Sequence, residues 1–240
     1  GCNCTSTPSC GNGQYNYDWE AREDGYWLPY SAFDDSGNLL TTGTYLQSIS
    51  LGGTTHSSNG GSDFYLAKYT GPSTVSWSKS FGSTTTDELS SVKSDGNDNV
   101  YVTAKVSGSV DMGGGSLPAP SGSNNEDFVL AKYDAGGNHL WSQLLQGSAN
   151  EVFNFEVDSA GNVYGTGYAP SGLTVDGTSI SGPGFLFKLD PNGNLLWARK
   201  FQGTWRSWFR PDHLAVRPSG GVVISLGLQP NETYKFGGSP

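Results

Sequence analysis

The chain has 240 residues, 35 of them glycine, with 15% charged residues, one methionine and a net charge of −9. That balance argues against a nucleic-acid binder, which needs a basic face for the phosphate backbone, and no stretch is long and apolar enough for a membrane-spanning helix. It fits a turn-rich secreted β protein, large enough to bury a substantial core, that opens without a leader-like segment, as a mature or trimmed product would.

Residues 1–13 (GCNCTSTPSCGNG) form a small polar segment that holds all three cysteines, Cys2, Cys4 and Cys10. The spacing supplies three ligands at most, one short of a structural zinc site. Two readings stay open. In one, Gly1-Cys2 is the tail of a bacterial lipobox, Cys2 is the acylated residue and Cys4–Cys10 is a disulfide. In the other, a signal peptide has been cleaved, one bridge is intramolecular and one thiol is left over. Residues 14–32 contain Trp19, six residues before Gly25; the same spacing recurs where Trp141 precedes Gly147 and Trp197 precedes Gly203. QYNYDWEAREDG therefore reads as the outer part of a repeat whose inner strands are absent at this end.

From residue 33 onward the chain writes one unit several times. DFYLAKYTGPSTVSWSKSFG, DFVLAKYDAGGNHLWSQLLQG and GFLFKLDPNGNLLWARKFQG each give an apolar run, a turn, and a second run with a Trp. Trp77, Trp141 and Trp197 are spaced 64 and 56 residues apart. Phe128, Val129, Leu130, Ala131 and Tyr133 put apolar groups on both faces of an extended strand, with only Lys132 interrupting, so that strand must be covered on both sides. In Asp190-Pro191-Asn192-Gly193-Asn194, Pro supplies φ near −65° and Gly supplies positive φ, the chemistry of a type I turn with a bulge closing a hairpin. A second motif recurs at Gly37 (GNLLTTG), Asp98 (DNVYVTA), Gly161 (GNVYGTG) and Gly220 (GGVVISLG). A weaker third follows each, near Leu51, Asp111, Val175 and Lys235. Each unit of about sixty residues thus offers four short strands, the pattern of a β-propeller blade.

GNVYVTG-like strands, a short strand ending in Gly-Gly, then DFxLAKYDxxGNxLW and FG resemble the β-propeller repeats of bacterial cell-surface proteins, the long-period myxobacterial type. The resemblance covers roughly residues 33–236; the third unit departs from it in lacking the Asp before Phe185, and the fourth stops after its second strand. It implies an extracellular module with no assigned activity. The fold expected is an all-β propeller over residues 14–240, following the separate segment 1–13. Its blades lie near 33–93, 94–156 and 157–216, with 217–240 completed by 14–32. Sharing the closing blade between both termini makes a four-bladed ring and removes exposed sheet edges.

The stretches starting at Gly25, Gly82, Gly147 and Gly203 read as blade-to-blade connections around the axis. The last is the longest and brings Trp205, Arg206, Trp208, Phe209, Arg210, Asp212 and His213; the first brings Tyr26, Trp27 and Tyr30. Aromatic faces beside Arg and Asp suit a sugar ring or a protein surface, so Tyr26, Trp27, Trp205, Arg206, Trp208, Arg210 and Asp212 are the candidate ligand-binding residues. The plainer role for the same residues is as apolar plugs.

Catalytic motifs are missing: there is no Gly-x-Ser-x-Gly, HExxH or phosphate-binding glycine loop. His56, His139 and His213 fall at non-equivalent points of the repeat, and His139 reads as a solvated side chain. Asp34-Asp35 and Asp87-Glu88 read as acids facing water. Asp95-Gly96-Asn97-Asp98-Asn99 resembles a calcium loop without its distal Glu and is explained as a hairpin turn. No cofactor is expected; a calcium-class cation in the central channel, held by Asp87, Glu151 or Asp212, is the one candidate. The function expected is a non-catalytic binding or scaffold module at the cell surface or outside it, as a free protein or an outer-membrane lipoprotein. Its partner is a glycan or an envelope or extracellular protein, and it touches membrane only through an N-terminal lipid. The alternative is a propeller enzyme, a sugar-acting hydrolase or lyase with its site at the axis.

Overall fold

The computed structural model describes residues 30–120, 126–147, 152–182, 184–203, 211–217, 221–226 and 234–237, and throughout these the chain is all-β and antiparallel. Strands β1 (Tyr30–Phe33), β2 (Leu39–Leu51), β3 (Thr54–Gly71) and β4 (Thr74–Phe81) form a first sheet in chain order. In the second, β5 (Glu88–Ser94) and β6 (Val100–Val106) are followed by a small separate hairpin of β7 (Val110–Asp111) and β8 (Ser116–Leu117). The sheet then resumes with β9 (Asp127–Tyr133) and β10 (His139–Leu145). The third repeats this plan: β11 (Val152–Val157), β12 (Val163–Tyr168), the off-sheet hairpin β13 (Leu173–Val175) and β14 (Thr178–Ile180), then β15 (Gly184–Leu189) and β16 (Leu195–Gly203). β17 (Pro211–Val216) and β18 (Val222–Leu226) pair with each other, and β19 (Tyr234–Gly237) joins the outer edge of β16.

Alternation along β9 shows why the sheets stack. Every residue of DFVLAKY is buried. Val129, Ala131 and Tyr133 enter a cluster with Leu40, Phe64, Leu66 and Phe81 of the first sheet. Phe128 and Leu130 enter a second cluster with Phe153, Phe155, Phe185 and Phe187 of the third sheet. A strand with period-two side chains and apolar groups on both faces has only this solution. The second sheet is sandwiched, as the apolar groups on both faces of β9 require. The first strands also follow one another in space: β1 touches β5, β5 touches β11, and β11 touches β17.

Two expectations about strand membership are corrected. The stretches after Gly82, Gly147 and Gly203, read from sequence as connections, contain β5, β11 and β17, so each sheet begins one strand earlier than the expected boundaries near 93 and 156. Their apolar signal is thin, because Val92, Phe153 and Phe155 are buried but alternate with Ser, Lys, Asn and Glu. The third motif, read as a blade strand, instead makes the off-sheet hairpins and, in the first sheet, the tip of the β2–β3 ribbon. Gly52 and Gly53 close the tip of that ribbon with φ of 58° and 85°.

The acids at the turns are structural locks. Asp95 Oδ1 accepts the N–H groups of Asn97 and Asn99, and Asn99 donates its side-chain amide back to the same carboxylate. Asp34–Asn38, Asp134–Asn138, Asp158–Asn162 and Asp190–Asn194 repeat the arrangement. This Asx-type bonding explains why Asp34, expected to face water, is buried. Lys68 pairs with it at 2.7 Å.

Candidate functional site on the far face of the third sheet

The side chain that interrupts each apolar run is part of a clamp between sheets. Lys132 on β9 stands opposite Trp141 on β10. Its Nζ and the indole Nε1 both donate to the carbonyl of Pro191, each at 3.0 Å, in the β15–β16 turn of the next sheet. Gln143 Nε2 adds a third bond, 3.3 Å to Gly193 O. One sheet earlier, Lys68 and Trp77 donate to Ala135 O at 3.3 and 3.1 Å. The turn that is gripped carries a positive-φ glycine under the indole: a Cβ on Gly137 would lie 2.8 Å from the Trp77 ring, and one on Gly193 would lie 3.0 Å from Trp141. Lys132 is nearly buried, and burial lowers its pKa against the opposing pull of Asp95, whose carboxylate is 3.8 Å away.

The third sheet presents the same donor set on its far side. Lys188 stands opposite Trp197, and Arg199 takes the place of Gln143. Lys188 Nζ lies 4.9 Å above the Tyr164 ring, as Lys132 lies 5.0 Å above Tyr101. Tyr164 and Trp197 meet edge-on at 6.4 Å, as Tyr101 and Trp141 do at 6.2 Å. The Arg199 guanidinium sits 5.7 Å from the Trp197 ring. Tyr164 is fixed from behind by a hydrogen bond to Asp158. Among the described residues no acceptor meets Lys188 Nζ or Trp197 Nε1, and Lys188 is half-exposed where Lys68 and Lys132 are buried. Beside it a groove of about 400 Å³ runs between β14 and β16, bounded by Thr178, Ser179, Ser181, Trp197, Arg199 and Lys200. Cations and an indole N–H make the far face a surface of donors around an aromatic plane. It suits an acceptor-rich ligand such as peptide carbonyls or a sugar.

Of the residues singled out from sequence, Tyr26, Trp27, Trp205, Arg206, Trp208 and Arg210 lie outside the described residues, as do Cys2, Cys4, Cys10 and Glu151. Asp212 falls in β17, where only the backbone is described. Asp87 is fully buried and occupied: Ser83 N–H, Ser83 Oγ–H and Ser107 N–H all donate to its carboxylate. It was expected to face water. Among the described residues no group of three or more His, Cys, Asp or Glu side chains converges. His139, expected to be solvated, is half-buried: Gly113 and Gly114 of the β7–β8 hairpin press on its ring, its Nε2 lies 3.0 Å from Ser142 Oγ, and burial lowers its pKa. The hairpin tryptophans Trp77 and Trp141 pack between sheets, at equivalent positions. Sequence reading missed the donor set, although a signal for it was present: a lysine recurs at one strand position, as Lys68, Lys132 and Lys188, amid apolar residues. No family model matches the chain, and no curated protein matches it.

Proposed function

We propose that the protein is a non-catalytic binding or scaffold module, outside the cell or at its surface, built as a four-bladed β-propeller that recognises a glycan or a protein surface. The fourth blade in this reading consists of β17, β18 and the Trp19 strand, and the ligand meets Tyr26, Trp27, Trp205, Arg206, Trp208, Arg210 and Asp212 at the ring mouth. The observation that carries the reading is the use made of the acids. Asp34, Asp87, Asp95, Asp134, Asp158 and Asp190, the side chains a hydrolytic site would draw on, are committed to turn locks and connections. Asp63 and Asp127 each keep one buried carboxylate oxygen without a partner among the described residues, but they lie apart from the aromatic and cationic side chains offered for contact. Successive stacking of the first strands and the placement of β17 against β11 and β12 support a ring.

The test is a glycan-array and envelope-extract binding screen with wild type and the variants Trp27→Ala, Trp205→Ala and Trp208→Ala. A hot-spot aromatic at the mouth loses about 2 kcal/mol of binding on truncation with little change in Tm. Variants that unfold without selective loss of binding would leave only a scaffold role.

A further inference from the structure

We infer that the far face of the third sheet is a docking seat for a β-hairpin turn supplied by a second polypeptide, with Lys188, Trp197 and Arg199 as its three donors. The two interfaces inside the molecule define what fits. Each gripped turn offers a carbonyl to a lysine ammonium and an indole N–H at once, and follows it two residues later with a positive-φ glycine on which the indole lies. Each also begins with Asp and ends with Asn, which lock the loop so that its carbonyls point outward. The partner is therefore an Asp-x-x-Gly-Asn hairpin, recognised through backbone carbonyls rather than through side chains. Specificity comes from the glycine, because any side chain there meets the indole.

The Asp34–Asn38 and Asp158–Asn162 turns share the Asp-x-x-Gly-Asn sequence, but each is bonded to the Asp95–Asn99 turn, through Ser36 and Ser159. The β3–β4, β9–β10 and β15–β16 turns do not fit the seat either. Those at Ala135–Gly137 and Pro191–Gly193 already hold Trp77 and Trp141. The equivalent turn of the first sheet is exposed but has Ser73, at φ 61°, in the glycine position, so a second copy would bring a Cβ into the indole. Read in the register of Trp19, the N-terminal segment puts Tyr15 at that position. A ring closed through the Trp19 strand thus still leaves the seat without the glycine turn it matches. The inference is independent of what binds at the ring mouth.

The experiment is a titration of a fluorescein-labelled, backbone-cyclised hairpin peptide with the sequence of residues 127–147 into the full chain, followed by anisotropy. Saturable binding is expected, weakened about tenfold or more by Trp197→Ala and by Lys188→Met, as for loss of a hot-spot contact. It should be weakened less by Arg199→Ala. A second peptide with valine at the position of Gly137 tests the same contact without altering the protein, and should not bind. No saturable binding to wild type, or equal binding of the glycine and valine peptides, would overturn the proposal, as would binding indifferent to both Trp197 and Lys188.

Discussion

Gly37 and Gly137 have nearly the same backbone conformation, with φ of 79° and 82°, but different surroundings. Nothing lies within 4 Å of a Cβ placed on Gly37, whereas one on Gly137 would sit 2.8 Å from the Trp77 ring. Alanine at Gly37 therefore costs only the left-handed backbone strain, about 1–2 kcal/mol. Alanine at Gly137 adds overpacking against the indole, typically about 1–3 kcal/mol, for a total of roughly 2–5 kcal/mol. The indole cannot retreat freely, because its Nε1 is bound to Ala135 O two residues from the glycine. Urea denaturation of both variants, compared at equal m, reads the difference. Combining Gly137→Ala with Trp77→Ala should cost less than the sum of the two, since the clash disappears with the ring. Equal costs at Gly37 and Gly137, or strict additivity in the double mutant, would refute the claim that the indole bears on this glycine.

The other clamp positions should differ according to what they touch. Trp141→Ala should cost about 3–5 kcal/mol, as for other large buried truncations, while Trp197→Ala, whose indole N–H has no acceptor among the described residues, should cost less than half as much; equal losses in chemical denaturation would place Trp197 in a filled interface. Lys68→Met strands the buried Asp34 carboxylate and should cost about 3–5 kcal/mol, against a much smaller effect of Lys188→Met measured the same way. Asp127 is buried, with one oxygen bound to Gly147 N–H and the other without a partner among the described residues, and burial raises its pKa. A raised carboxyl favours the protonated form in the folded state, so its contribution is fully present below the unfolded pKa and is lost as pH rises through the folded one. Asp127→Asn should accordingly shrink the fall in Tm between acidic and neutral pH, and an unchanged Tm–pH profile would contradict the assignment.

The repeat was legible because β9 and its equivalents carry an apolar run that only a sandwiched strand tolerates, and because the turn residues name their own conformation; Gly193 has the positive φ that its place in Asp190–Asn194 demanded. The first strands of the second and third sheets were not legible. In β11, Phe153 and Phe155 do the packing, but Asn154 and Glu156 between them make the segment look like a polar connection. The third motif misled for the opposite reason: Val175 and Ile180 are buried, yet they belong to a hairpin that reaches back to Gln146 of the preceding sheet. Lys132 read as an interruption because a lone cation in an apolar run carries no sign of a carbonyl 59 residues away. Asp87 read as solvated because one of its donors, Ser107, becomes its neighbour only through the β5–β6 pairing, and the local donor, Ser83, gave no sign of burial.

Closure of the ring is the central claim, and the distance between the first and fourth inner turns tests it most directly. Successive inner turns already meet: Ser36 bonds to Asp98, and Gly96 donates to Ser159 O. Spin labels at Asp35 and Gly221, both exposed, report the remaining pair by electron–electron double resonance once Cys2, Cys4 and Cys10 are replaced by serine. A closed four-bladed ring predicts a separation of about one intersheet spacing, roughly 10 Å plus the reach of the labels. A separation of about three spacings, on the order of 30 Å plus the same reach, would mean an open stack and would contradict the account.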